Sequence, residues 1–119
     1  MPNTVRQIAL LLAAALAGCG SQATPTTTPQ PLAINLSASA TEFVPDLLAA
    51  ARHTAVRVRF LNGSTEPHTL IFPAPISVTG GELVDTGQTV IVEFTTPAAG
   101  NYPFLCNVHE GMTGILRVN

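Results

Sequence analysis

"YPFLCNVHEGMTGILRVN", residues 102–119, is the stretch on which the reading of the fold turns. Within it Cys106, His109 and Met112 fall at three-residue intervals, a thiolate, an imidazole and a thioether inside seven positions. That spacing suits one face of a helix, but the local composition opposes one. Asn107, Gly111 and Gly114 interrupt the run, and the flanks "YPFLC" and "GILRV" read as strands. The three side chains are therefore expected on a loop joining two strands, where they converge on something rather than pack passively.

Outward from this stretch the apolar pattern keeps a period of two. In "TAVRVRFLN" (54–62) Val56, Val58 and Phe60 point one way while Arg57 and Arg59 point the other. In "TVIVEFTT" (89–96) Val90, Val92 and Phe94 share a face opposite Glu93. In "YPFLC" Tyr102, Phe104 and Cys106 share a face, so Cys106 continues a line of core-facing side chains. "LAINLSA" (32–38) and "HTLIF" (68–72) add two more β-rich runs. Turn signals separate them: "NGS" at 62–64, "FPAP" at 72–75, "TGG" at 79–81, "DTG" at 85–87 and "PAAG" at 97–100. Short strands at this spacing predict an all-β sandwich. One segment is left open: "PDLLAAARH" (45–53) holds three successive alanines and reads equally as a short helix or a short strand. Pro103 cannot donate to a ladder, so it belongs at a strand start or on an edge.

The first 31 residues have a different character. "MPNTVRQIALLLAAALAGCG" (1–20) has a polar start with Arg6, then an uncharged run from Ile8 to Ala17. The run is too short to span a bilayer as a mature helix but suits the apolar core of an export signal, the alternative being a buried N-terminal helix. "LAGC" (16–19) resembles a bacterial lipobox. That resemblance implies a signal peptide over 1–18 and a lipidated Cys19 facing the periplasm or the cell exterior; an ordinary secreted protein with a free Cys19 is the other reading. "GSQATPTTTPQP" (20–31) carries three prolines and four threonines and cannot bury apolar area. With Cys19 it forms a tether, 19–31, between membrane and a folded domain spanning 32–119.

Charge and cysteine content narrow the function. Without Arg6 the chain keeps four arginines against seven acids, a net of −3, and has no lysine. Phosphate binding needs a basic surface, so nucleic acid is excluded as a partner. If Cys19 is acylated, Cys106 is a single thiol in an oxidising compartment, where it needs burial or coordination. His53 follows Arg52 in a turn and reads as a solvated surface residue. His68 opens "HTLIF" after the loop "NGSTEP", and one end of a sandwich brings such a strand edge close to the 106–112 loop. His68, Cys106, His109 and Met112 together select the metal. Soft donors favour copper over magnesium or calcium, and two histidines, a cysteine and a weak axial methionine describe a blue-copper electron-transfer centre. Structural zinc takes four strong ligands, and iron–sulfur clusters need more cysteines. No paired carboxylates and no Ser or Cys nucleophile with a free base are present, so no enzyme is expected.

"NGSTEPHTL" followed by "TTPAAGNYPFLCNVHEGMTGILRV" resembles the cupredoxin family, the plastocyanin and amicyanin group of blue copper proteins. Pro97, Gly100, Tyr102, Phe104, Cys106, His109, Met112, Gly114, Leu116 and Val118 fall on its pattern, and Cys-x₂-His-x₂-Met is the short, amicyanin-like loop. The resemblance implies a Greek-key sandwich of about seven to eight strands. It also implies one copper ion on His68, Cys106 and His109, with Met112 as the long axial ligand. The residue after the first ligand is often Asn in the family and here is Thr69, whose backbone N–H remains within reach of the sulfur. The resemblance further implies a monomer that passes one electron between transient partners such as a cytochrome, an oxidase or a reductase. The second histidine would reach the surface through an apolar patch, with Glu110 beside the exit and Gly111, Met112 and "FPAPI" as neighbours. A copper chaperone or storage lipoprotein, which hands on metal rather than electrons, is the rival. A sandwich that keeps these residues for packing alone is the third reading.

Overall fold

The computed structural model describes residues 28–119 as seven β-strands with no helix among the described residues. They are β1 (Leu32–Ala38), β2 (Phe43–Val44), β3 (Leu47–Ala50), β4 (Ala55–Asn62), β5 (Thr89–Thr95), β6 (Gly100–Leu105) and β7 (Thr113–Val118). One sheet has the order β2-β1-β4-β5 and the other β3-β7-β6. The predicted signal peptide and Cys19 lie outside the described residues. No helix among those described is long and apolar enough to cross a membrane.

Alternation builds both sheets. β4 buries Val56, Val58, Phe60 and Asn62 and exposes Ala55, Arg57 and Arg59. It pairs parallel with β1 and antiparallel with β5, and so sits in the middle of its sheet. β7 is the middle strand of the second sheet and buries Gly114, Leu116 and Val118. Pro103 sits in β6, the edge strand of that sheet, opposite Ile115. An edge is where a residue without an N–H does least damage.

The open segment 45–53 is strand, not helix. Leu47–Ala50 pairs parallel with Ile115–Val118, burying Leu48 and Ala50 and exposing Leu47 and Ala49. Pairing with β7 and burial of alternate side chains outweigh the helix preference of the alanines, which is worth only a few tenths of a kcal/mol per residue. The chain crosses from one sheet to the other between β2 and β3, and the segment ends in a turn where His53 has φ 52°. His53 is exposed, as its place after Arg52 predicted.

"HTLIF" departs from its reading as a strand. His68 and Ile71 form only isolated bridges, to Val84 and Leu105. The backbone donors go to different places. His68 and Leu70 donate to Val84 and Gly81, Ile71 donates to Leu105, and Thr69 donates to the Cys106 sulfur. An extended segment that gives one N–H to a side chain cannot continue a regular ladder. Gly81 lets the opposing loop come this close: its φ is 83°, and a Cβ there would lie 2.7 Å from the Leu70 carbonyl oxygen.

The aromatic core lies between the sheets, close under the segments that carry the histidines and the cysteine. Phe104 meets Phe43 edge-on at 5.1 Å and Phe72 at 5.4 Å, and Phe72 meets Phe94 at 4.7 Å. Such pairs add to the burial of their area. Gly114 makes room for this line of rings, because a Cβ there would collide with the Phe104 ring and approach the Asp46 carbonyl oxygen to 2.7 Å. Gly114→Ala is expected to lower stability by about 1–3 kcal/mol through overpacking, read by denaturant unfolding of the metal-free protein.

Candidate metal centre

Cys106 follows β6 and inherits its inward direction, leaving it 4% exposed. The loop after it is closed by its own backbone: Cys106 N–H donates to the Met112 carbonyl (3.0 Å) and Met112 N–H to that of His109 (3.4 Å). Gly111, with φ 79°, provides the left-handed step the loop requires. His68 approaches from the bridge to Val84 and is fully buried.

Three donors converge. Cys106 Sγ is 3.7 Å from His68 Nδ1 and 3.8 Å from His109 Nδ1, and the three atoms all lie within 4.8 Å of one another. First-row ions bond imidazole nitrogen at about 2.0–2.1 Å and thiolate sulfur at about 2.3 Å. A trigonal arrangement of bonds of these lengths puts sulfur and nitrogen about 3.7 Å apart. The spacing therefore suits one ion that all three donors would hold, and two imidazoles with a thiolate suit copper. Met112 is 1% exposed and packs in the core, with its carbonyl tied to the Cys106 N–H. It therefore contributes nothing to the surface around His109, contrary to its expected place among the exit neighbours.

The sulfur is prepared for charge. Burial pushes the Cys106 thiol up. The Thr69 N–H, then contacts from His109, the Thr69 hydroxyl and His68, together pull it down to about 5 from an ordinary 9.0. Thr69 N–H points at the sulfur over 3.4 Å, as the sequence predicted. The Thr69 hydroxyl has one proton, and Asn107 Oδ1 at 2.8 Å is a better acceptor position than the sulfur at 3.6 Å. The Asn107 N–H returns a bond to the same hydroxyl at 3.0 Å, which ties the two loops beside the sulfur. His109 is raised above its ordinary value, first by its contact with Cys106 and next by Glu66.

Three residues escaped sequence reasoning. Glu66 Oε2 is 2.7 Å from His109 Nε2, and nothing in the loop "NGSTEP" marked it. Asn107 stood beside the cysteine but was read only as a helix breaker. Asn62 is fully buried and bonds to Glu66 O, Val84 O and Ser64. The alternation Val56, Val58, Phe60 continues to position 62, so a polar residue there was a legible sign of a buried network.

A two-sheet sandwich that gathers a buried thiolate and two imidazoles at one end defines a carrier of a soft transition-metal ion. The chain belongs to the cupredoxin-like family, whose domain model matches residues 8–118. Among solved structures it is similar to auracyanin A, a "blue" copper protein from Chloroflexus aurantiacus, at 25% identity over 76% of this chain and 100% of that one, with a TM-score of 0.61. Auracyanin B is similar at 21% identity over 77% and 92%, with a TM-score of 0.62. Amicyanin from Paracoccus versutus is similar at 21% over 78% and 94%, with a TM-score of 0.57. No curated protein sequence matches the chain significantly.

Between about pH 5 and the ordinary value of 9.0, folded Cys106 binds no proton while unfolded Cys106 binds one. Its contribution to stability is therefore fully present above 9.0 and is lost as pH falls through about 5. In the metal-free protein the thiolate ultraviolet absorbance, taken as the difference from Cys106→Ser, is expected to be half lost near pH 5. A midpoint near 9 would contradict the hydrogen bonding described.

Proposed function

We propose that the protein is a type 1 (blue) copper electron-transfer protein. His68, Cys106 and His109 would serve as strong ligands and Met112 as a weak one. The observation that carries this reading is the buried Cys106 sulfur flanked by two Nδ1 atoms at 3.7 and 3.8 Å. When bound, copper supplies one-electron chemistry by alternating between its +1 and +2 states. The chain's own part is to hold the donors still, so that little moves when the charge changes. His68 is buried on all sides, Thr69 and Asn107 join the two loops, and the short loop is closed by its backbone.

The electron's exit in this reading is His109, whose side chain is 22% exposed while His68 is enclosed. Its surroundings are acidic. Glu42, Asp46, Glu66, Glu82, Asp85 and Glu110 all belong to connections at this end of the sandwich, whereas Glu93 is paired with Arg57 on a strand. Arg52, Arg57, Arg59 and Arg117 lie on strand faces or at the opposite end. A transient partner with a basic rim fits this distribution, as a cytochrome, oxidase or reductase would if so charged, across the small interface typical of redox encounters. We place the protein at the cell envelope as a monomer, exported by the signal over 1–18 and tethered through Cys19 and residues 20–31. The Pro/Thr-rich composition and the lipobox resemblance support that placement.

A copper chaperone or storage lipoprotein is the rival reading, and the burial of Cys106 at 4% exposure stands against it, since metal hand-off needs an accessible thiol. Addition of Cu(II) to the purified protein is expected to give an intense blue colour, bleached by reductant and restored on reoxidation. Cys106→Ser should give none. Copper uptake without reversible colour would favour the chaperone. Glu110→Ala is expected to slow electron transfer to a basic partner at low ionic strength and to flatten the salt dependence, because screening acts over about 10 Å at 0.1 M salt. An unchanged rate at every salt concentration would dismiss a role for that carboxylate.

A further inference from the structure

The two imidazoles at the site are supported in unlike ways. His68 is fully buried, and its Nε2 has no hydrogen-bond partner, so packing sets its outer edge and the sulfur contact its inner one. His109 is partly exposed, on a loop that turns through a left-handed glycine, and packing cannot set its outer edge. That edge meets Glu66, whose Oε2 lies 2.7 Å from Nε2. A carboxylate only accepts, so Nε2 carries a proton, and the ring is turned so that Nδ1 lies 3.8 Å from the Cys106 sulfur, where a metal would meet it.

Glu66 can do this because its backbone is anchored. Its carbonyl accepts a bond from Asn62 Nδ2 (2.8 Å) and its N–H donates to Ser64 Oγ (3.2 Å). Asn62, fully buried at the end of β4, is held in turn by the Val84 carbonyl at 2.8 Å. The carboxylate is thus an exposed group on a fixed base, spanning 43 positions of sequence to reach the ring. An exposed ion pair is worth little to folding, and so fold stability does not account for this buried support.

We propose that Glu66 is a positioning residue of the metal centre: it holds the His109 ring by its Nε2–H with Nδ1 turned to the sulfur, and through that ring it favours the oxidised ion over the reduced one. The redox part rests on the copper reading. A hydrogen-bonded carboxylate makes an imidazole a stronger donor, and its negative charge stabilises the higher charge of the oxidised metal. Removing the charge therefore raises the reduction potential.

The test compares the full chain with Glu66→Gln and Glu66→Ala. Glutamine keeps an accepting oxygen without the charge, and alanine removes both. In the metal-free protein, imidazole NMR is expected to show a His109 Nε2–H protected from exchange in the parent and in Glu66→Gln, and one lost to exchange in Glu66→Ala. In the copper-loaded protein, Glu66→Ala is expected to bind copper about 10-fold or more weakly against a competing chelator, while Glu66→Gln stays near the parent. Both variants should have a higher potential than the parent, with unfolding unchanged. An equally protected His109 Nε2–H in Glu66→Ala overturns the lock, and a parent-like potential in both variants overturns the redox effect. If the parent takes no copper, the redox part fails with the copper reading, and the NMR result still decides the lock.

Discussion

The structure depends on keeping a charged sulfur almost out of water. Desolvation opposes the Cys106 thiolate, and only donors aimed at it reverse that penalty. The features around it serve this requirement. β6 delivers the side chain inward by simple alternation. The segment after His68 gives up one ladder bond so that Thr69 N–H can face the sulfur. The loop folds back until the Cys106 N–H meets the Met112 carbonyl, which holds the sulfur's own backbone. A regular strand at 68–72 would have satisfied more backbone and left the thiolate without its main donor.

Rigidity follows from how the two contributing segments are joined. They lie 38 positions apart in sequence between Thr69 and Asn107, yet two hydrogen bonds link those residues directly. Below them the Phe43, Phe104, Phe72 and Phe94 rings stack across the sandwich. Close-packed rings resist displacement, and movement of the cysteine loop against the histidine segment would disturb both the rings and the bonds above them. A site held this way changes little when its charge changes, which is the condition for fast exchange of an electron.

How much of this was legible depended on range. Val56, Val58 and Phe60 declared β4 because strand alternation is local, and the same rule carried Cys106 to the interior. The soft donors at 68, 106, 109 and 112 declared a metal because their chemistry does not depend on context. The segment 45–53 could not be decided, since its four-residue strand exists through pairing with β7, some 68 positions away. "HTLIF" looked like a strand, and only the three-dimensional partners revealed that its donors diverge. Glu66 was invisible for the same reason. Glu110, adjacent to His109 in sequence, drew attention instead, while the carboxylate on the ring comes from 43 positions upstream.

Charge is placed unevenly in the fold, and the cause is general. A chain with 10% charged residues and a net of −2 has too little charge for strong steering if it is spread evenly. Topology does not spread it. Among the described residues, strands take three of the four arginines and the turn at the opposite end takes Arg52, while the connections at the histidine end take six of the seven acids. The field therefore concentrates where His109 meets solvent. Val108 is 48% exposed there, but Met112 is buried and Glu66 covers the ring edge. The surface around His109 is therefore a small apolar spot inside an acidic rim. Under the proposed function, a partner docking there matches both, with charge to orient it and an apolar contact to bring it close.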